Sequence, residues 1–193
     1  MVDLADIAAV PWPKRTERLV IRPVTKDDFE PMWQIRRQES VGRWMGSASQ
    51  DLEAFAELIS SEDRMGKTLV IERDGELIGD LMLAPETPWA QVEVAGQVEG
   101  VQAEIGWCID PAVAGHGYAT EAVQELIRVS FEDLDLRRLV AHCFAANERS
   151  WRLMERVGMR REAHTVKESL HRSGEWMDGF SYALLAEEWK SRA

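Results

Sequence analysis

Glu104 interrupts an otherwise apolar run, Ala103–Ile109. A carboxylate in such surroundings has its pKa raised towards the range of a working general base. Asn147 and Ser150 form a second feature. Three residues apart on a helix, they place an amide and a hydroxyl on one face. The third is the small-residue loop Ala112-Val113-Ala114-Gly115-His116-Gly117, opened by Asp110-Pro111 and followed by Tyr118 and Ala119. Glycines let the backbone approach a ligand, and the first turn of the following helix offers unpaired N–H groups to an anion. Strand, glycine loop and helix can therefore cradle phosphate, although the same residues also serve a plain tight turn. The loop lacks the Gly-Lys-Ser/Thr of a nucleotide-hydrolysing P-loop, and Thr120 stands where a dinucleotide fingerprint has its third glycine.

The remaining chemistry-bearing residues point nowhere in particular. His116, His142, His164 and His171 lack partners at catalytic spacing, and His142 alternates into a strand, where a structural role is expected. Cys108 and Cys143 sit in apolar runs and read as buried thiols, with too few neighbouring ligands for a metal site. No Ser/His/Asp or Cys/His arrangement stands out, so a covalent enzyme intermediate is not expected.

The elements that must position these residues follow from apolar periodicity. Ala103–Asp110 reads as a central strand, and Gly106 within it as a bulge or a close backbone approach. Ala119, Ala122, Val123, Leu126 and Ile127 repeat at helical spacing after the glycine loop. Residues 137–144 form another strand, and Asn147 caps a helix carrying Trp151, Met154 and Val157 that Gly158 ends. Upstream, Thr16–Val24 reads as a strand, Thr25–Asp28 caps a helix reaching about Gln38, and Asp51–Ile59 is a second helix. Between those helices, Ser40–Gly46 is expected to be a loop carrying Trp44 and Met45. Asp74-Gly75 joins Thr68–Glu72 to Glu76–Leu83 as a hairpin. Residues 84–100 read as a long loop or a hairpin extension through Gln91–Val94. Residues 1–15, with Pro11-Trp12-Pro13, read as an irregular arm preceding one domain over 16–193.

Composition narrows the class. At 193 residues the chain suits one substantial core, and 45% hydrophobic with 30% charged residues is ordinary for a globule. Its 23 basic against 34 acidic side chains give a formal net charge of −11. That balance opposes non-specific nucleic-acid or anionic-membrane binding; it suits a cationic substrate, or solubility alone. No apolar run approaches the ~20 residues that span a bilayer. The start has acids and no basic leader, so no signal peptide is expected. With two apolar-run thiols, this reads as a cytoplasmic protein.

Val113–Ala122, Val-Ala-Gly-His-Gly-Tyr-Ala-Thr-Glu-Ala, resembles the acyl-CoA-binding loop of the GNAT N-acetyltransferases. The family signature is Gln/Arg-x-x-Gly-x-Gly/Ala; Gly115 and Gly117 fit it, and Ala112 departs from it. Ala146–Ser150 through Gly158-Met159 is similar to the family's Asn-x-x-Ser segment. The Leu77–Leu81 strand looks like the family's Gly-x-Leu-Ile-Gly segment, and the Thr16–Val24 opening, with Arg160–Ala163 and the closing stretch from Gly174 to Trp189, resembles the ribosomal-protein-alanine (RimJ/RimL-like) branch. The resemblance implies an α/β fold, with a twisted, mostly antiparallel sheet splayed at a central parallel strand pair and helices on both faces. It implies acetyl-CoA as cofactor, bound by Trp107, Cys108, Ile109, the loop from Ala112, Val113 and Ala114 through Gly115, His116 and Gly117, then Tyr118, Ala119, Asn147 and Ser150. Glu104 and Ser150 are the implied catalytic pair. Trp44, Met45, Glu104 and Trp176 are the acceptor-side candidates, Trp44 and Met45 having the alternative of plugging the core edge. Residues 84–100 would be an acceptor-side or dimer-side element, leaving a homodimer open. The implied reaction is direct attack by the primary amine of a protein N-terminus or small molecule; the alternative is a non-catalytic acyl-CoA-binding module.

Overall fold

Among the described residues, period-two apolar patterning assembles eight strands into one mixed sheet. The computed structural model describes residues 2–47, 49 and 51–191. The strands are β1 (Lys14–Arg15), β2 (Val20–Pro23), β3 (Thr68–Arg73), β4 (Glu76–Glu86), β5 (Gln102–Ile109), β6 (Arg138–Phe144), β7 (Arg160–Leu170) and β8 (Trp176–Leu185). Their spatial order is β1-β2-β3-β4-β5-β6-β8-β7. Every neighbouring pair is antiparallel except β5 with β6. The helices are α1 (Leu4–Ala9), α2 (Phe29–Arg36), α3 (Glu39–Gly42), α4 (Leu52–Ile59), α5 (Glu62–Lys67), α6 (Tyr118–Arg128), α7 (Glu148–Arg156) and α8 (Ala186–Lys190).

Alternation sorts the side chains between two faces. On one, Leu81, Leu83, Ala103, Ile105, Leu139 and Tyr182 meet Val123, Leu126 and Ile127 of α6 and Met154 of α7 in the main core. On the other, Val70 packs with Phe29 and Met32 of α2 and with Phe55 and Ile59 of α4. The splayed sheet with helices on both faces that the resemblance implies is the one observed.

Four local expectations are corrected. Residues 4–9 of the supposed irregular arm form α1, because Asp3 and Asp6 cap each other reciprocally, each accepting the other's backbone N–H at 2.9 and 3.1 Å. Ile7 and Val10 then enter the main core, and β1 pairs with β2. The loop at 40–46 opens as α3. Instead of a hairpin extension, Val92–Gln97 is a 3₁₀ turn; Val92 is 90% exposed, so its alternation had no face to bury. Gly106 carries no bulge, since β4 and β5 stay in register from Gly79↔Ile109 to Glu86↔Gln102. The close-approach glycine is Gly79, where an added Cβ would lie 2.3 Å from the Cys108 carbonyl oxygen.

Gly79→Ala must push β4 away from β5 beside the site. The variant is expected to lose about 1–3 kcal/mol of stability or more. Denaturant unfolding checks this, and a wild-type midpoint would contradict the packing.

Candidate active site

The parallel ladder between β5 and β6 consists of Gln102↔Arg138, Ala103↔Leu139 and Glu104↔Val140, and stops there. Beyond it β5 continues beside β4 to Ile109, while β6 continues beside β8 to Phe144. The strands diverge, and an open cleft of about 1870 Å³ runs through the divergence. Its lining includes Glu104, Trp107, Cys108, Ile109, Val113, Ala114, Gly115, Gly117, Tyr118, Ala119, Asn147 and Ser150, with Trp44 and Met45.

On the α6 face the cleft meets the glycine loop. The Asp110 carboxylate accepts the Ala112 N–H at 3.0 Å and starts the 3₁₀ turn Pro111–Val113. Gly115 and Gly117 have φ of 85° and 82°, a left-handed conformation that disfavours other residues. Gly117 is the N-cap of α6 and offers no capping side chain, so the first-turn amides are left to a ligand. Arg18 braces the loop from behind, donating Nη1–H to the His116 carbonyl at 2.9 Å and Nε–H to Glu121 at 2.7 Å. Burial opposes ionisation of Glu121, but hydrogen bonds from Thr16 and Arg18 outweigh it and hold its pKa below the ordinary carboxylate value. Across from the loop, Arg149, Arg152 and Arg156 form an i, i+3, i+7 stripe on α7 that lines the cleft, and Arg156 Nη1 reaches Thr120 Oγ1 at 3.4 Å.

On the opposite face, alternation presents Asp80, Met82 and Ala84 of β4, Glu104, Gly106 and Cys108 of β5, and His142 and Phe144 of β6 to the cleft. Glu104 is half-buried. Burial raises its pKa, the charge of His142 lowers it, and Glu86 raises it again; the net shift is upward. Asp80 is buried and paired with Arg36, whose Nε donates to Asp80 Oδ2 at 3.1 Å. Burial works against the Arg36 charge, but Asp80 more than offsets it. Cys108 lies beside this pair, and burial followed by the Asp80 charge drives its pKa far up, so it stays a thiol.

Trp44 and Met45 are held over this face by the turn between β7 and β8. His171 is bonded through Nε2 to the Arg43 carbonyl at 2.8 Å, and Arg172 donates to the Met45 carbonyl at 2.6 Å. Trp44 packs against Phe144 and His171, with ring centroids 6.1 and 6.0 Å away.

Comparison with known proteins decides what this cleft belongs to. A sequence model described as the acetyltransferase (GNAT) domain matches residues 18–160. The uncharacterized N-acetyltransferase YnaD of Bacillus subtilis is 31% identical over 178 residues, covering 90% of this chain and 97% of that one. The chain belongs to the GNAT acetyltransferases. YdaF of the same organism, provisionally named as a ribosomal N-acetyltransferase, is 28% identical over 186 residues, 92% of this chain and 96% of that one. A solved GNAT-family acetyltransferase from Bacillus anthracis superposes with a TM-score of 0.77 at 27% identity, over 92% of this chain and 100% of that one. A spermidine N-acetyltransferase from Vibrio cholerae, solved with CoA and spermine, shares the fold at 18% identity and a TM-score of 0.73, over 91% and 99% of the two chains.

This GNAT protein is an enzyme that moves an acetyl group to an amine, and acetyl-CoA is its cofactor. Acetyl-CoA supplies the acetyl group activated as a thioester. The residues present fit it. An uncapped helix start and two positive-φ glycines suit a pyrophosphate, and a slot between diverging strands suits an extended arm.

Of the residues singled out from the sequence, Ala112 and His116 belong to the loop without lining the cleft, and Trp176 lies outside it. Trp176 opposes Leu170 near the β7–β8 turn and is 58% exposed. Asn147 starts α7 without a side-chain capping bond. Burial pushes the Cys143 thiol up to about 11, with Ser150 beside it partly opposing. Sequence reasoning missed the α7 arginine stripe, although its i, i+3, i+7 spacing was there to find. It also missed Arg36 with Asp80, Phe144 and Glu168, which carry no local signal.

Gly117→Val places a β-branched side chain at φ 82°, its Cβ 3.5 Å from Arg18 Nη2, against the brace behind the loop. Such strain costs about 1–3 kcal/mol, and relieving it turns the loop's amides out of line. The variant is expected to remain folded and lose acetyl-CoA binding by calorimetry; unchanged affinity would remove the loop from the cofactor site.

Proposed function

We propose that this enzyme acetylates the primary amine of a protein N-terminus or a small molecule by direct attack, with Glu104 as the base. The carrying observation is the position of Glu104: a half-buried carboxylate with a raised pKa at the last rung before β5 and β6 part. A group there meets an amine entering from the Trp44–Met45 face, while the α6 loop serves the opposite face. Glu104 takes the ammonium proton, directly or through one water, and leaves the lone pair free to attack. Backbone groups of Trp107–Ile109 hold the arm of the cofactor in the slot, and the Asn147 amide, uncommitted to capping, adds a hydrogen bond. Ser150, whose side chain lines the cleft, would stabilise the departing sulfur.

The ribosomal branch is the finer reading. The provisional name of YdaF and the closing strands, β7 and β8, support it. The free thiols Cys108 and Cys143 suit a reducing cytoplasm. A panel of Ala- and Ser-initiated peptides, polyamines and aminoglycosides, read by CoA release, tests the acceptor class. Turnover confined to polyamines or aminoglycosides would overturn the ribosomal reading, and no release with any amine would favour the binding module.

Glu104→Gln is expected to lower turnover on the order of 10²-fold with acetyl-CoA affinity unchanged. The deficit should close as the acceptor loses its own proton, near pH 8 for an α-amino group and above roughly pH 10 for an alkylamine. Ser150→Ala should lower turnover equally at every pH. Steady-state pH profiles of both variants check this, and wild-type rates would remove these residues from the mechanism.

A further inference from the structure

We propose that His142 is a second proton-handling group of the acetyl transfer, receiving through its Nε2 the proton that Glu104 takes from the acceptor ammonium. The inference rests on reading the β5–β6 divergence as the acceptor site. His142 lies two residues beyond Val140, the partner of Glu104 in the last rung. Period-two alternation therefore puts the imidazole on the face of Glu104, one step further along the opening strands, where it lines the cleft. The two are close enough for the charge of His142 to bear on the ionisation of Glu104. Directly opposite on β8, Ser181 holds His142 Nδ1 at 2.9 Å through its hydroxyl oxygen. With Nδ1–H donating to that oxygen, the neutral ring presents its Nε2 lone pair to the cleft.

The chemistry favours a second group. A carboxylate, even with a raised pKa, is a weak acceptor for an ammonium proton, whereas an imidazole ordinarily titrates much nearer neutral pH. An ammonium N–H bond breaks as a Glu104 O–H bond forms; that O–H then breaks as it protonates a water in the cleft, which gives one of its own protons to Nε2, and the amine nitrogen keeps its electron pair throughout. The carboxylate, charged again, stabilises the imidazolium beside it, and the proton leaves to solvent because His142 is exposed. The other charges around the cleft on this side are Glu86 on β4, which bears on Glu104, Glu168 on β7, Arg36 neutralised by Asp80, and Arg64 with the Lys67–Asp63 pair on α5. Glu104 is the acid on the strand beside His142, so the imidazolium's stabilisation is assigned to it.

His142→Gln is expected to lower turnover on the order of 10²-fold below the pKa of the acceptor, with acetyl-CoA affinity and unfolding midpoint unchanged. The deficit should close at high pH, added imidazole should restore part of the rate to His142→Ala, and the double variant with Glu104→Gln should be no slower than the slower single. A loss equal at every pH without imidazole rescue, or multiplicative losses, would make His142 structural. A second measurement needs no acceptor. NMR titration of the Glu104 carboxyl should show its midpoint moving to higher pH in His142→Gln, because a neighbouring positive charge is gone. An unmoved midpoint overturns the pairing whatever the acceptor. A moved midpoint with no CoA release from wild type supports the pairing and faults the acetyl-transfer reading instead.

Discussion

Facing strands satisfy each other's backbone N–H and C=O groups only while they stay about 4.8 Å apart. Between β5 and β6 that holds for Gln102–Glu104 and Arg138–Val140 and no further. Each strand is kept extended past this point by its outer neighbour, β4 for one and β8 for the other. The sheet can therefore open at its centre without either strand losing its conformation. The inner edges left behind are polar backbone, which demands partners. A ligand that is itself a chain of amides and carbonyls meets that demand, and the position of the last rung dictates where its reactive end sits relative to Glu104.

Charge is distributed to match. The chain carries a formal charge of −11, yet Arg149, Arg152 and Arg156 line the cleft opposite the glycine loop. A polyanion is thus met locally by backbone dipoles and guanidinium groups while the rest of the surface repels it. The brace from Arg18 to Glu121 and His116 keeps the loop's amides aimed without placing a side chain in front of them.

The other face is built from parts that are distant in sequence. The β7–β8 turn reaches across to hold Arg43 and Met45, so the wall carrying Trp44 depends on a hairpin 128 residues away from Arg43. Behind that wall, Arg36 and Asp80 neutralise each other in a buried position, where removing one partner would strand the other's charge.

Local physics made much of this legible beforehand. Gly115 and Gly117 stand where the backbone must take positive φ, the apolar face of α6 follows its 3.6-residue period, and Asn147 opens α7. Those features depend on residues a few positions apart, and the motif resemblance extended them to a family fold. The α1 capping pair Asp3–Asp6 was equally local and was overlooked because the prolines beyond it drew the reading towards an arm. Tertiary structure alone decided the rest. Alternation says that Glu104 and His142 each point to one side of a strand, but not that the two sides coincide; strand order and the end of the parallel ladder determine that. The same holds for the Arg18–Glu121 brace, 103 residues apart, and for Arg36–Asp80, 44 apart. Trp176 fell outside the cleft for the converse reason: its strand reaches the site at Gly179 and Ser181, and the pairing with Leu170 carries Trp176 beyond the cleft's edge. Periodicity assigns a side chain to a face, and only the register between strands assigns that face to a site.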